Sequence, residues 1–387
     1  EADHLAALAG QLGQPAPDID SGHVLLEAEG FRLKWERHNE FSSYCFFRRI
    51  EPDDSPDDYA LLHVPAAWRK AIPGLLIAAT HIELRDVGEV PLETVLHQQS
   101  RHGQALVASG VSDGAGWVLT DFHLHDGFSH FLLLDKGFTP RQAGRIAQRL
   151  VEIETYRVMA LLAFPVAKDT GRLVSRAEDE LADLMDGMGR SRSAEDDRAV
   201  LTRLSRLAAD VERSVARTSF RFGAAAAYYR LVRQRIDDLR EQRLPGFSPI
   251  GEFMDRRLVP AIDTCTSIAR RQDDLSGRIA RNSQLLRTRV DIEIERQNQE
   301  LLAQMNRRAK IQLHLQETVE GLSVVAITYY ASQLVNYVAK GAKHLIEPLT
   351  PEVLTAVSIP VIAGIVYMGL RRMRKLLGTE EDGQAHP

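Results

Sequence analysis

Apolar residues recur at three different spacings along this chain, and each spacing predicts a different kind of element. From residue 31 to about 135 they alternate, which predicts strands. Residues 31–37 (FRLKWER) and 41–47 read as a hairpin joined through His38–Glu40. Residues 74–84, 104–109, 117–125 and 128–134 read as further strands, with Asp126-Gly127 as a tight turn between the last two. Residues 51–58 (EPDDSPDD) form a solvated acidic loop.

At Thr139 the spacing changes to that of a helix. Thr139, Pro140 and Gln142 match a capping box with proline at the first helical position. This helix is expected to run towards Phe164 and to end at Pro165, followed by a second over 168–187 and a polar break over 187–197. Residues 199–243 carry Val200, Leu204, Leu207 and Val211 at helical spacing, and Leu244-Pro245-Gly246 stops them. A helix starting near Ser248-Pro249 is expected to bend at Pro260. Residues 272–320 then lack proline, and Leu275, Ile279, Leu286, Val290, Ile294, Leu301 and Met305 form a coiled-coil-like seam interrupted at Asn282 and Gln297. Such a helix would extend about 70 Å.

The third pattern is continuous. Residues 321–339 and 353–370 hold no charge and are each long enough, against about 20 residues, to cross a bilayer as helices. Pro348 and Pro351 suit the connecting turn. Arg307, Arg308 and Lys310 precede the first segment and Arg371, Arg372, Arg374 and Lys375 follow the second, whereas the loop carries only Lys340 and Lys343. The charge bias predicts a multi-pass protein with both termini in the cytoplasm. Thr328, Ser332 and Asn336 repeat at four-residue steps on the first segment. Two readings stay open for them: pore lining around an oligomer axis, or polar glue between helices.

Composition narrows the class. The 387 residues carry a net charge of −5, so no basic excess calls for nucleic acid. Only Cys45 and Cys265 occur, far apart, which implies neither a disulfide framework nor a zinc knuckle. The opening EADHLAALAGQL has neither the basic start nor the apolar run of a signal peptide. Phosphate-loop, zinc-hydrolase, nucleophile-elbow and dinucleotide motifs are all missing, so a non-enzymatic role is expected. One cluster has ligand character. On a strand, Asp121, His123 and His125 would share a face and could hold a divalent transition metal; no other cofactor is implied. Glu36 and Arg37 point to opposite strand faces, and Glu152 and Glu154 to different helix faces, so neither pair makes a catalytic couple.

Residues 33–47, 120–133, 137–167 and 285–330 resemble the bacterial predicted membrane-anchored family, domain of unknown function 3422, over nearly the whole chain. That resemblance implies membrane anchorage. The layout is also similar to CorA-type magnesium channels, in which a stalk helix continues into the first of two C-terminal spans. Their Gly-Met-Asn hallmark is absent from 336–341, and Lys340 and Lys343 near a mouth would repel Mg²⁺.

The expected fold is therefore α+β. It has an N-terminal cytosolic α/β domain with a mainly antiparallel sheet (1–138), a long helical or coiled-coil body (139–320), a transmembrane hairpin (321–370) and a basic tail (371–387). The expected function is that of an oligomeric inner-membrane protein, an ion channel or transporter. The alternative is a membrane-tethered scaffold or sensor. Its expected partners are further copies of itself and the lipid bilayer.

Overall fold

Alternating residues do produce strands, but they assemble into two sheets. The computed structural model describes residues 1–51, 58–88, 92–100, 106–190, 193–341 and 351–381. The first sheet is an antiparallel meander of β1 (His23–Ala28), β2 (Phe31–Arg37) and β3 (Ser42–Phe47). Val24, Leu26, Leu33 and Trp35 point to one face, where Leu5 and Leu8 of α1 (Ala2–Gln11) and Trp68 of α2 (Ala66–Lys70) cover them. The intervening side chains face water, as the two-residue period requires. Neither α1 nor β1 is foreseen by the sequence reading.

The second sheet comprises β4 (Thr80–Asp86), β5 (Val107–Val111), β6 (Gly116–Thr120), β7 (Leu124–His125), β8 (Phe128–Asp135) and β9 (Gln242–Arg243). Its order is β4-β8-β6-β5-β9, with β7 also paired to β8. It is mainly antiparallel; β4 and β8 run parallel. Asp126 (φ 51) and Gly127 (φ 86) make the tight turn between β7 and β8. Strand β4 begins only at Thr80, later than expected, and α3 (Leu92–Ser100) follows it. Residues 52–57 of the acidic loop and 104–105 of an expected strand lie outside the described residues.

Helix α4 (Pro140–Leu161) begins with the foreseen capping box: Gln142 N donates to Thr139 Oγ1, and Thr139 N donates to Gln142 Oε1 at 2.9 Å. It ends at Leu162, and Pro165 sits in the first turn of α5 (Ala163–Arg190) instead of stopping α4. A first-turn proline loses no intrahelical hydrogen bond, which is why the reading of Pro165 as a terminator fails. Helix α6 (Ala194–Leu239) ends where Arg240 turns left-handed (φ 51), before the expected Leu244-Pro245-Gly246 stop. Helices α7 (Ile250–Arg257) and α8 (Val259–Gly341) part at Leu258, just ahead of Pro260. The last helix is α9 (Pro351–Glu381).

The chain forms two compact units. The first joins Glu1–Ala177 to Asp210–Leu275, so helices and sheet share it. The reason is the core: Ile146, Leu150 and Ile153 of α4, and Val232, Ile236 and Leu239 of α6, bury with Val111, Val118, Phe131 and Leu133 of the sheet. Burial of this kind contributes roughly 1.5–3 kcal/mol per large aliphatic side chain.

The second unit holds Glu178–Ala209 and the chain from Ser276 on. There Arg289 ion-pairs with Asp197 at 3.0 Å and donates to the Met188 carbonyl. Along α8 the expected seam is covered at Ile279, Leu286 and Val290, then bare at Leu301 (57% exposed) and Met305 (65%).

Among the described residues one helical segment, Glu352–Gly369 of α9, is long and apolar enough to cross a membrane. Residues 321–339 continue α8 without a break but fall short of that apolar level. Ser323, Ser332, Gln333 and Asn336 dilute them. The expected two-helix hairpin is thus met by one apolar helix, and its turn over 342–350 lies outside the described residues.

Candidate functional site

The parallel pairing of β4 with β8 sets His81 opposite His130. Their ring centroids lie 5.2 Å apart. Tyr59 meets His81 edge-on at 4.1 Å, and His125 meets His130 at 5.6 Å. Asp121 Oδ2 lies 2.7 Å from His125 Nε2, which extends the row to an acid. Burial pulls His81 down to about 4, helped by its neighbour His130. Burial also lowers His130, with His125 adding to the shift. Burial pushes the Asp121 carboxyl up, but the His123 amide and the His125 ring outweigh it and hold the group below its usual value. His81 and His130 are therefore neutral near pH 7, and Asp121 at the end of the row is anionic.

The expected metal face is not built as foreseen. Phe122 has φ 54, a left-handed conformation, and residues 121–123 belong to no strand. Asp121, His123 and His125 therefore do not alternate on one strand face. Asp121 instead clamps the turn: its Oδ1 accepts from His123 N at 2.9 Å, while His123 Nδ1 lies 2.9 Å from the Asp121 carbonyl. Among the described residues no group of three or more His, Cys, Asp or Glu side chains is arranged to hold a metal ion. The sequence reading missed His81 altogether. Its place beside His130 depends on a long-range parallel pairing that has no local signature.

Other charged groups are committed to structure. Glu154, almost fully buried, accepts from Ser129 Oγ at 2.5 Å and pairs with Arg157 at 2.6 Å, whereas Glu152 turns to Arg235. The two glutamates thus serve different faces of α4. Glu36 pairs with Lys34 at 2.8 Å on its own strand face, leaving Arg37 on the other. Cys45 and Cys265 are free thiols, and burial pushes both upward, away from the reactive thiolate.

On α8, Thr328 (9% exposed) and Ser332 (7%) are covered within a single chain. Thr328 Oγ1 donates to the Val324 carbonyl at 2.7 Å and Ser332 Oγ to the Tyr329 carbonyl at 2.8 Å. Asn336 is half-buried one turn further on. Leu322, Val325, Leu334 and Val338 around them are exposed.

No curated protein and no solved structure matches this chain. A family model described as a protein of unknown function, DUF3422, matches residues 1–377. With that match spanning both units, the chain belongs to the DUF3422 family.

Proposed function

We propose that the chain is a non-enzymatic, membrane-tethered homo-oligomer of the bacterial inner membrane, with the sheet-bearing unit acting in the cytoplasm as a scaffold or sensor. The observation that carries this reading is bare apolar surface. None of Glu352–Gly369 is buried, and large apolar side chains of 321–339 are equally uncovered. So large an apolar patch favours lipid or a further copy over water as its neighbour. In this reading 321–339 and 353–370 both span, with helix partners satisfying Gln333 and Asn336. The basic clusters that flank them keep both ends cytoplasmic. The α8 seam supports self-association, because Leu301, Met305, Leu315 and Val319 stay bare where the covered seam would continue.

Ion conduction is the second reading, favoured by the polar stripe of Thr328, Ser332 and Asn336. It is the weaker one. Both hydroxyls already bond their own helix, and both side chains are covered without an oligomer axis.

The test places an arginine mid-way along each segment, at Tyr330 and at Val361, both exposed. A central arginine costs about 2.5–3.5 kcal/mol of insertion. The chain carrying Tyr330→Arg and Val361→Arg together is expected to leave the carbonate-resistant membrane fraction, and native mass measurement of the wild type in nanodiscs should find more than one copy. Full retention of the double variant would remove the anchor, and a monomeric wild type would remove the oligomer.

A further inference from the structure

The β5–β6 turn, the first turns of α4 and the last turn of α6 enclose a cleft of about 350 Å³ in the first unit. That is within the roughly 300–1,000 Å³ of small-molecule sites. Three arginines line it, Arg145, Arg149 and Arg240, against two aspartates, Asp237 and Asp238. Arg149 lies 3.5 Å from Asp238, which also faces Arg235 at 3.5 Å, and Arg240 is held at 2.5 Å by Asp113. Arg145 has no ion-pair or hydrogen-bond partner among the described residues.

Ser112 is an independent sign of a ligand. It lines the cleft at 7% exposure, and its hydroxyl has no partner among the described residues. Its backbone sits at φ 53 because Ser112, Asp113 and Gly114 together make the left-handed turn between β5 and β6. The turn is fixed by the Ser112 amide, which donates to the Leu239 carbonyl at 2.9 Å. Gln142 commits its carbonyl oxygen to the α4 cap, which leaves its amide N–H groups for the cleft.

An unpaired guanidinium and a sheltered hydroxyl are groups that recognise a phosphoryl oxyanion. Asp237 has no side-chain partner among the described residues. It would repel a bare anion and accept hydrogen bonds from hydroxyl donors beside one. We propose that this cleft binds a small soluble phosphate ester of a polyhydroxylated molecule, with Arg145 and Ser112 on the phosphoryl group and Asp237 on the hydroxyls. The site goes beyond the anchoring reading and does not depend on it.

The experiment titrates ribose 5-phosphate, ribose and inorganic phosphate calorimetrically into the full chain in phosphatidylcholine nanodiscs. Ribose 5-phosphate is expected to bind more tightly than inorganic phosphate, and ribose not at all. Arg145→Ala should weaken it about 10–100-fold, the worth of a charge-assisted hydrogen bond. Because Arg145 is exposed and unpaired, its variant should keep the wild-type unfolding midpoint, and Ser112→Ala should show a smaller loss of affinity. Arg141→Ala, exposed on the same helix but outside the cleft, should change nothing. Absence of binding by both phosphate probes, or equal losses at Arg141 and Arg145, would overturn the proposal. Competition by added phosphatidylglycerol would overturn the soluble source and assign the cleft to a lipid headgroup.

Discussion

His81 and His130 touch because β4 and β8 run parallel in register, and burial keeps both rings uncharged near neutrality. The unfolded chain has no such restraint, so His81 there titrates near 6.5. As pH falls from 6.5 towards about 4, the unfolded state takes up a proton that the folded state refuses. Stability is therefore complete above that window and lost through it. The groups facing His81 are Tyr59 and His130, with His125 and Asp121 beyond. Allowing for partial exposure, the loss is on the order of 1–2 kcal/mol. His81→Gln should flatten the decline in unfolding free energy between about pH 7 and about pH 5; an unchanged slope would count against the neutral pair. None of this was legible locally. Residues 117–125 read as one strand, and only the positive φ of Phe122 reveals why 121–123 leave the sheet.

At the level of elements, features enclosed within a few residues were readable and those closed at long range were not. The Thr139 cap and the Asp126-Gly127 turn follow from short motifs, and both are present. Gly116 carries no such signal. A Cβ there would collide with the Phe138 ring and the Leu134 carbonyl, because β6 packs directly against the end of β8. Gly116→Ala should cost about 1–3 kcal/mol, the usual penalty for overpacking a filled site. Thr139→Ala should cost about 1 kcal/mol, the worth of a cap. A thermal-unfolding comparison that ranks the cap above the glycine would contradict this packing. Strand β9 completes the sheet from a segment that reads as the end of a helix, since only the Arg240 turn brings Gln242 beside Gly110.

For the whole molecule, the sequence conveyed a strand-rich start, a helical body and an apolar end. It did not convey that residues 139–177 and 210–275 fold with the sheet. That union rests on one apolar core contributed by segments far apart in the chain. The second unit differs, since the part of α8 beyond Val290 has exposed apolar residues at Leu301, Met305, Leu315 and Val319. A helix without a covered face is marginal in water. Under the proposed self-association its persistence is a matter of mass action, each copy supplying the surface on which another copy's helix is stable. Amide exchange over 301–319 should slow as protein concentration rises, while exchange in β6 and β8 should be indifferent to it. Diluting the protein would thus unwind that stretch of α8 and leave the sheet folded.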